Sequence, residues 1–477
     1  MIVHKFGGTS LGTAERISSV AEIIASGQRS AATVAVVSAI RGTTDHLISG
    51  ARAAAAGQHA IYREIGCEIA RTHHGIVDEL LSPPSERTTI HELIDERLEQ
   101  LERIFDSIAV LGEVTARGQD AVACFGEHLS AIIFAAVLRH RGIDAQSVSA
   151  IDLIVTDDAY GSASPLMAPT SERIRKRIRP LVDHGIVPVV TGYIGATETG
   201  IPTTLGRSGS DFSAAIIAAG LDSGELRIWT DVDGILTADP NVVPAARVLR
   251  HLSYEEATRL ARFGAEVLHP RTIGPVIEHR IPLYIQNSFN PSDPGTRIVK
   301  DPSADRHLWP AIVSATGLRL IRLRGSRGAW QMHSATEALS RLNRAGIAVR
   351  MFSQSFSEEG LNLVVGEHDG EHSVRLLSRT GASFGDSSSA CYKLDTIENV
   401  ATVSVIGWPS SNGDGIASRA FAALGKHQVR VVAVTQAATE DSVTFCLPDS
   451  RVARTLRLLH EELGLGNGKE TRDAHKR

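Results

Sequence analysis

Ile2-Val3-His4-Lys5-Phe6-Gly7-Gly8-Thr9-Ser10 opens the chain with a short apolar run that ends in a lysine and two glycines. An amphipathic stretch over 14–25 follows, and then a second β-branched run, Thr33–Val37. Strand, helix and strand in that order predict a parallel sheet covered by helices. Residues 51–117 read as helical apart from Ser82-Pro83-Pro84-Ser85, so this block is expected to pack beside the sheet as an insertion. Further strands are expected at Val187–Thr191, 226–229 and 282–285. Asp301-Pro302-Ser303-Ala304-Asp305 reads as a linker, which ends the first unit near Lys300.

Behind that linker lies a repeat. Gln354 and Gln436 are 82 residues apart, as are Glu358 and Glu440. At the same offset Ala335, Leu339 and Leu342 fall on Ala417, Phe421 and Leu424, while Leu361 and Leu363 fall on Val443 and Phe445. Each copy reads strand, helix, strand, tight polar turn, strand, helix, the order of a ferredoxin-like module. A large α/β unit followed by a duplicated small one suggests catalysis in front and regulation behind. Two modules that only dimerise would give the same pattern.

The chain has 477 residues, 43% of them hydrophobic and 22% charged, with a formal net charge of −5. At ~150 residues per domain this length predicts about three units. No overall basic field exists to favour nucleic acid. The longest uninterrupted apolar run, 131–138, is far shorter than the ~20 residues of a membrane span. Met1-Ile2-Val3-His4-Lys5 reaches a charge with no apolar core behind it, unlike a secretory signal. Cys67, Cys124, Cys391 and Cys446 form no Cys-x-x-Cys pair. That argues against a disulfide framework or zinc knuckle and suits a reducing cytoplasm, the expected compartment.

Three stretches can carry chemistry. In Lys5-Phe6-Gly7-Gly8-Thr9-Ser10, glycines let the backbone approach a ligand, and exposed N–H groups at a helix start favour an anion such as phosphate. The Walker pattern is absent. In Thr203-Thr204-Leu205-Gly206-Arg207-Ser208-Gly209-Ser210-Asp211, Arg207 lies between glycines and offers a planar fork for a carboxylate. Ser210 or Asp211 could equally serve as a helix cap. Trp229-Thr230-Asp231-Val232-Asp233-Gly234, running on to Thr237-Ala238-Asp239-Pro240, begins like a calcium loop. Val242 occupies the twelfth position where a glutamate is needed, so a turn that meets ribose or a metal, or an ordinary Asx-rich turn, is the better reading. Glu127, in Cys124-Phe125-Gly126-Glu127-His128, is placed at the start of an apolar helix, either to receive an ammonium group or to favour the helix terminus. His269 reads as a packed histidine. No metal-ligand cluster is expected from the protein alone.

Taken together, Lys5–Ser10, 204–211, 229–240 and 263–270 stand in the order and spacing of the aspartate kinases, which the chain resembles over roughly residues 1–465. Ser38-Ala39 and Gly42-Thr43-Thr44-Asp45 are similar to that family's next loop. The resemblance implies a three-layer αβα amino-acid kinase domain over 1–300. Two ferredoxin-like ACT modules would follow over 316–392 and 396–465, then a disordered tail over 466–477. It implies transfer of the ATP γ-phosphate to the β-carboxylate of L-aspartate with Mg2+, the entry to lysine, threonine, methionine and isoleucine. A monofunctional, amino-acid-regulated homodimer or homotetramer is expected, with threonine or lysine as effector and neither nucleic acid nor membrane as partner. Another amino-acid kinase, or a catalytically silent amino-acid sensor, are the alternatives.

The same resemblance assigns roles. Lys5 would contact the transferring phosphate, with Gly7, Gly8 and Ser10 as the cradle. Arg207 would hold the substrate α-carboxylate with Ser210, Thr204 and Thr44. Glu127 would take the ammonium group beside Tyr193, and Asp211 would lie near phosphate and magnesium. Thr230, Asp231 and Asp239 would meet the nucleotide, and Gln354 and Gln436 the effector. Two positions depart from the family: Glu266, where many relatives carry Lys, and Asn241, where many carry Arg. Both remove positive charge from the expected nucleotide side, which implies altered nucleotide binding. An aspartate β-carboxylate with an ordinary pKa of about 3.9 is already ionised at neutral pH, so no general base is needed.

Overall fold

The computed structural model describes residues 1–82, 84–263, 268–302, 310–324, 332–355, 360–378, 393–407, 415–436 and 442–466. Glu266, Glu358 and Glu440 and the tail beyond Gly466 lie outside these residues. The described chain forms two compact units. The first is drawn from 1–235, 248–261 and 268–302, the second mainly from 236–247 and 310–466.

The first unit is built on an eight-stranded sheet in the order Ala145–Val148, Val187–Thr191, Thr33–Val37, Ile2–Phe6, Glu225–Thr230, Leu283–Asn287, Thr296–Val299, His251–Ser253. The first six strands are parallel, and Thr296–Val299 runs antiparallel to its neighbour Leu283–Asn287. Thr33–Val37 and Val187–Thr191 are buried at every position, as the unbroken β-branched runs require of strands covered on both faces. Helices Ala14–Gln28 and Ala116–His140 cover one face; Met167–Asp183, Gly209–Gly220 and Pro270–Glu278 cover the other. The expected three-layer αβα arrangement is therefore present.

The expected helical block is Thr43–Ala55, His59–Leu80 and Pro84–Leu111. The last two form an antiparallel hairpin in which Ile69, Ile76, Ile90, Ile94 and Leu101 are buried. His74 faces Asp95 across it and Asp78 faces His91. Helix Ala116–His140 is long and apolar enough to cross a membrane, but 83% of its apolar window is buried inside this unit. It is the core against which sheet and hairpin pack.

The second unit carries a six-stranded antiparallel sheet in the order Val349–Ser355, Gly360–Gly366, Ala311–Arg324, Lys393–Ile406, Ser442–Pro448, Ala433–Gln436. Each repeat copy supplies helices to it, Met332–Arg344 and Glu367–Ser378 in the first, Ile416–Lys426 and Val452–Glu462 in the second. Apolar pairs at the 82-residue offset take matching places, with Ala335, Leu342, Leu361 and Leu363 buried in one copy and Ala417, Leu424, Val443 and Phe445 in the other. The two long strands are shared. Residues 320–324 pair with 393–397 in the first module, whereas 311–315 pair with 402–406 in the second, and register shifts on either side of Leu318 mark the change. The closing strand of the second module thus precedes the first module in sequence, ahead of the 396–465 span that the resemblance implied.

Leu236–Arg247 forms an arm of this second unit, although the chain on either side of it belongs to the first. Ala238 and Val243 join the core around Ala420, Phe445 and Leu459. The Ile312 N–H donates to the Thr237 carbonyl at 2.7 Å, Thr237 Oγ1 bonds His460 Nε2 at 3.1 Å, and Arg247 donates to the Gly466 carbonyl at 2.6 Å.

Candidate active site

Parallel α/β sheets present ligand sites at the C-terminal ends of their strands, and this one does so. A cleft of about 550 Å³ is lined by Lys5, Gly8, Thr44, Glu127, Tyr193, Arg207, Ser210 and Asp211, all named from the sequence, together with Arg41 and Asp45.

Lys5 is the penultimate residue of the first strand, and its Nζ lies 2.6 Å from Asp211 Oδ1, with both side chains nearly buried. A Cβ on Gly8 would sit 2.8 Å from the Ala39 carbonyl oxygen, so only glycine lets these two loops touch. Gly7 lies beside Lys5 Nζ. Ser10 is buried, and its hydroxyl bonds that of Ser288 at 2.8 Å. Ser288 also donates to the Thr230 carbonyl at 3.1 Å, and Asn287 Nδ2 donates to Asp233 at 2.8 Å. These bonds tie the glycine loop, the loop after Thr230 and the loop after Asn287 together. Thr230 and Asp231 share that edge, where Thr230 Oγ1 donates to Asp231 at 3.2 Å.

Helix Gly209–Gly220 starts at the cleft. Ser208, in the left-handed region at φ 53, occupies its N-cap without a side-chain bond, so neither Ser210 nor Asp211 serves as the cap. The uncapped N–H groups and the helix dipole favour an anion there. Tyr193 is also left-handed, at φ 66, a conformation that costs about 1–3 kcal/mol in a non-glycine residue. A Cβ on Gly209 would meet its ring at 2.6 Å, so the tyrosine and the helix start are interlocked.

Glu127 sits in the middle of helix Ala116–His140, which corrects its expected place at a helix start and removes the N-terminal electrostatic role. Its Oε1 accepts the Ala39 N–H at 3.2 Å, and its buried Oε2 has no hydrogen-bond partner among the described residues. Burial pushes its carboxyl from 4.5 up to about 8. Arg207 is exposed at the rim, with no ion pair or hydrogen bond recorded among the described residues.

Four other expected positions lie elsewhere. Thr204 is fully buried behind the wall, where its hydroxyl donates to Asp120. Asp239 belongs to the arm and accepts the Asn241 N–H at 2.9 Å, a local Asx turn. Gln354 lies one residue before the end of strand Val349–Ser355, with its Nε2 buried and unpartnered among the described residues, while Gln436 is exposed on its edge strand. His269 proves to be half-buried and caps helix Pro270–Glu278 through its side chain, in place of core packing. Among the described residues no three His, Cys, Asp or Glu side chains converge as metal ligands. Asp120, Arg41, Asn287 and Ser288 were not singled out from the sequence. The one legible signal was Asp120 itself, a carboxylate two helical turns before Glu127 and so on the same face of an apolar helix.

A parallel sheet with glycine loops, a lysine and a bare helix start at its strand ends defines a phosphoryl-transfer fold of the amino acid kinase type, and the sequence profile of that family matches residues 1–287. An ACT domain profile matches 403–463. Aspartokinase 1, chloroplastic, of Arabidopsis thaliana is 32% identical over 464 residues, covering 96% of this chain and 79% of that protein. The bifunctional aspartokinase/homoserine dehydrogenase of Haemophilus influenzae is 30% identical over 465 residues, 97% of this chain and 56% of that one. The chain spans about half the length of such bifunctional relatives. Aspartokinase III of E. coli in complex with aspartate and ADP superposes with a TM-score of 0.81 at 26% identity, covering 97% of this chain and 100% of that chain. The chain belongs to the amino acid kinase family, in its aspartokinase branch.

Proposed function

We propose that the protein is an aspartate kinase, which transfers the γ-phosphate of ATP to the β-carboxylate of L-aspartate and yields 4-phospho-L-aspartate. One observation carries this reading. A single cleft presents an unpaired guanidinium, a buried carboxylate with one oxygen unpartnered, and a lysine beside a bare helix start. These complement the α-carboxylate, the ammonium group and the phosphates. Arg207 binds the α-carboxylate, and Glu127, on losing its proton, receives the ammonium group through Oε2. The β-carboxylate is thereby directed at the phosphate that Lys5 and the N–H groups of the glycine loop hold. The acceptor is already an anion, so catalysis reduces to alignment and neutralisation of charge. Asp211 fits a magnesium site of the kind that takes one or two carboxylates and otherwise nucleotide oxygens. Magnesium there would neutralise phosphate charge.

Hydroxylamine trapping with Mg-ATP tests the reading. Aspartyl hydroxamate is expected from aspartate and not from glutamate or N-acetylglutamate, and no hydroxamate from any of them would overturn it. The related E. coli structures hold aspartate with ADP or with lysine. They support an amino-acid effector, threonine or lysine, at the second unit here. Assembly as a homodimer or homotetramer through the ACT modules and a cytoplasmic location belong to the same proposal.

A further inference from the structure

Behind the cleft lies a buried carboxylate to which the reaction itself gives no part. Asp120 is 3% exposed and projects from helix Ala116–His140. Its Oδ2 accepts the N–H of Gly161 and the N–H of Thr204, each at 2.9 Å, and its Oδ1 accepts the Thr204 hydroxyl at 2.8 Å. Thr204 pairs with Ile194, next to Tyr193, across two antiparallel strands, and the N–H of Leu205 donates to the Tyr193 carbonyl at 2.9 Å. The Thr204 carbonyl accepts the Ala163 N–H at 2.9 Å, and a Cβ on Gly206 would lie 3.1 Å from the Gly161 carbonyl oxygen. The loops at 161–163 and 204–207 are thus held against each other by one acid. Gly161, Tyr193, Gly206 and Arg207 line the cleft along these segments.

We infer that Asp120 is the positioning residue of the amino-acid subsite: it sets Tyr193 and the approach of Arg207 through Thr204, and the opposing rim through Gly161. A carboxylate accepts from all three donors. An amide keeps both N–H groups only on its single oxygen, and its N–H2 then reverses the bond to the Thr204 hydroxyl, which must accept, while the negative charge is lost. The nucleotide edge, tied by Ser10, Ser288 and Thr230, has no bond to Asp120 among the described residues.

This inference rests on the amino-acid half of the proposed reaction, and its test separates the two. Asp120→Asn and Thr204→Val are expected to raise KM for aspartate and lower kcat/KM roughly tenfold to a hundredfold, as misplacement of substrate does. KM for ATP should stay within about twofold, and Thr204→Ser, which keeps the hydroxyl, should restore the wild-type constants. Unchanged aspartate kinetics, an equal rise in both KM values, or Thr204→Ser behaving like Thr204→Val would overturn the inference. If Asp120→Asn does not fold, the valine–serine pair decides alone. A wild-type enzyme silent toward aspartate but active on another carboxylate would sink the functional reading only, and the same comparison on that substrate would decide Asp120. Silence toward every carboxylate would overturn both.

Discussion

Glu127 holds one carboxylate oxygen against the Ala39 N–H and leaves the other buried without a partner. Its pKa in the folded chain, about 8, stands above the ordinary 4.5. A raised carboxyl pKa means that the folded state keeps a proton the unfolded chain releases. Stability from this group is complete below about pH 4.5 and declines as pH rises to about 8. Glu127→Gln should therefore melt above the wild type, by a margin that widens from pH 5 to 8 and is then level, as thermal scans across that range would show. The same substitution should weaken aspartate binding. In the wild type KM for aspartate should fall between pH 6 and 8 as the acid ionises, and in the glutamine variant it should stay high and flat. Arg207→Ala should raise KM for aspartate about 10–100-fold, the equivalent of losing a charged hydrogen bond of about 1.5–3 kcal/mol. Lys5→Ala should instead lower kcat by roughly 10²–10³, as loss of a charge-stabilising donor does; steady-state kinetics with each substrate varied would separate the two. Lys5, Arg207 and Glu127 were legible because each is a charge set among glycines or apolar residues. Ser288 was not, because its partners Ser10 and Thr230 come from distant parts of the chain.

Among elements, the glycine loop is set by contact between two backbones. A Cβ on Gly8 has the Ala39 carbonyl oxygen 2.8 Å away, and no rotamer change relieves a clash with a main-chain atom. Gly8→Ala should cost about 1–3 kcal/mol, as overpacking does, and lose most turnover. Gly66→Ala, inside helix His59–Leu80 with nothing within 4 Å of its Cβ, should gain roughly 0.5–1 kcal/mol with unchanged activity. Chemical denaturation of both variants checks the pair. At this scale the sequence was most readable. Unbroken Val and Ile runs gave the buried strands, and the 82-residue offset aligned the two modules position by position. Strand exchange left no such mark, because 311–315 and 402–406 pair through backbone hydrogen bonds that any β-prone sequence can make.

In the whole chain the units are interleaved, because the second takes Leu236–Arg247 from within the first. A fragment ending near residue 302 would leave Ala238 and Val243 without the core they join, and Thr237 without His460. Such a fragment is expected to bind a hydrophobic dye and elute as aggregate, whereas the full chain elutes as a discrete species; size-exclusion chromatography distinguishes them. The arm also bears on how proteins of this plan can be recombined. Exchange of the C-terminal half between two relatives is an exchange at two places, since the incoming half must bring its own counterpart of 236–247 into the middle of the recipient gene. Chimeras joined at the linker alone pair a foreign socket with a resident plug, and their success should track how closely the two parents agree at Thr237, Ala238, Val243 and Arg247.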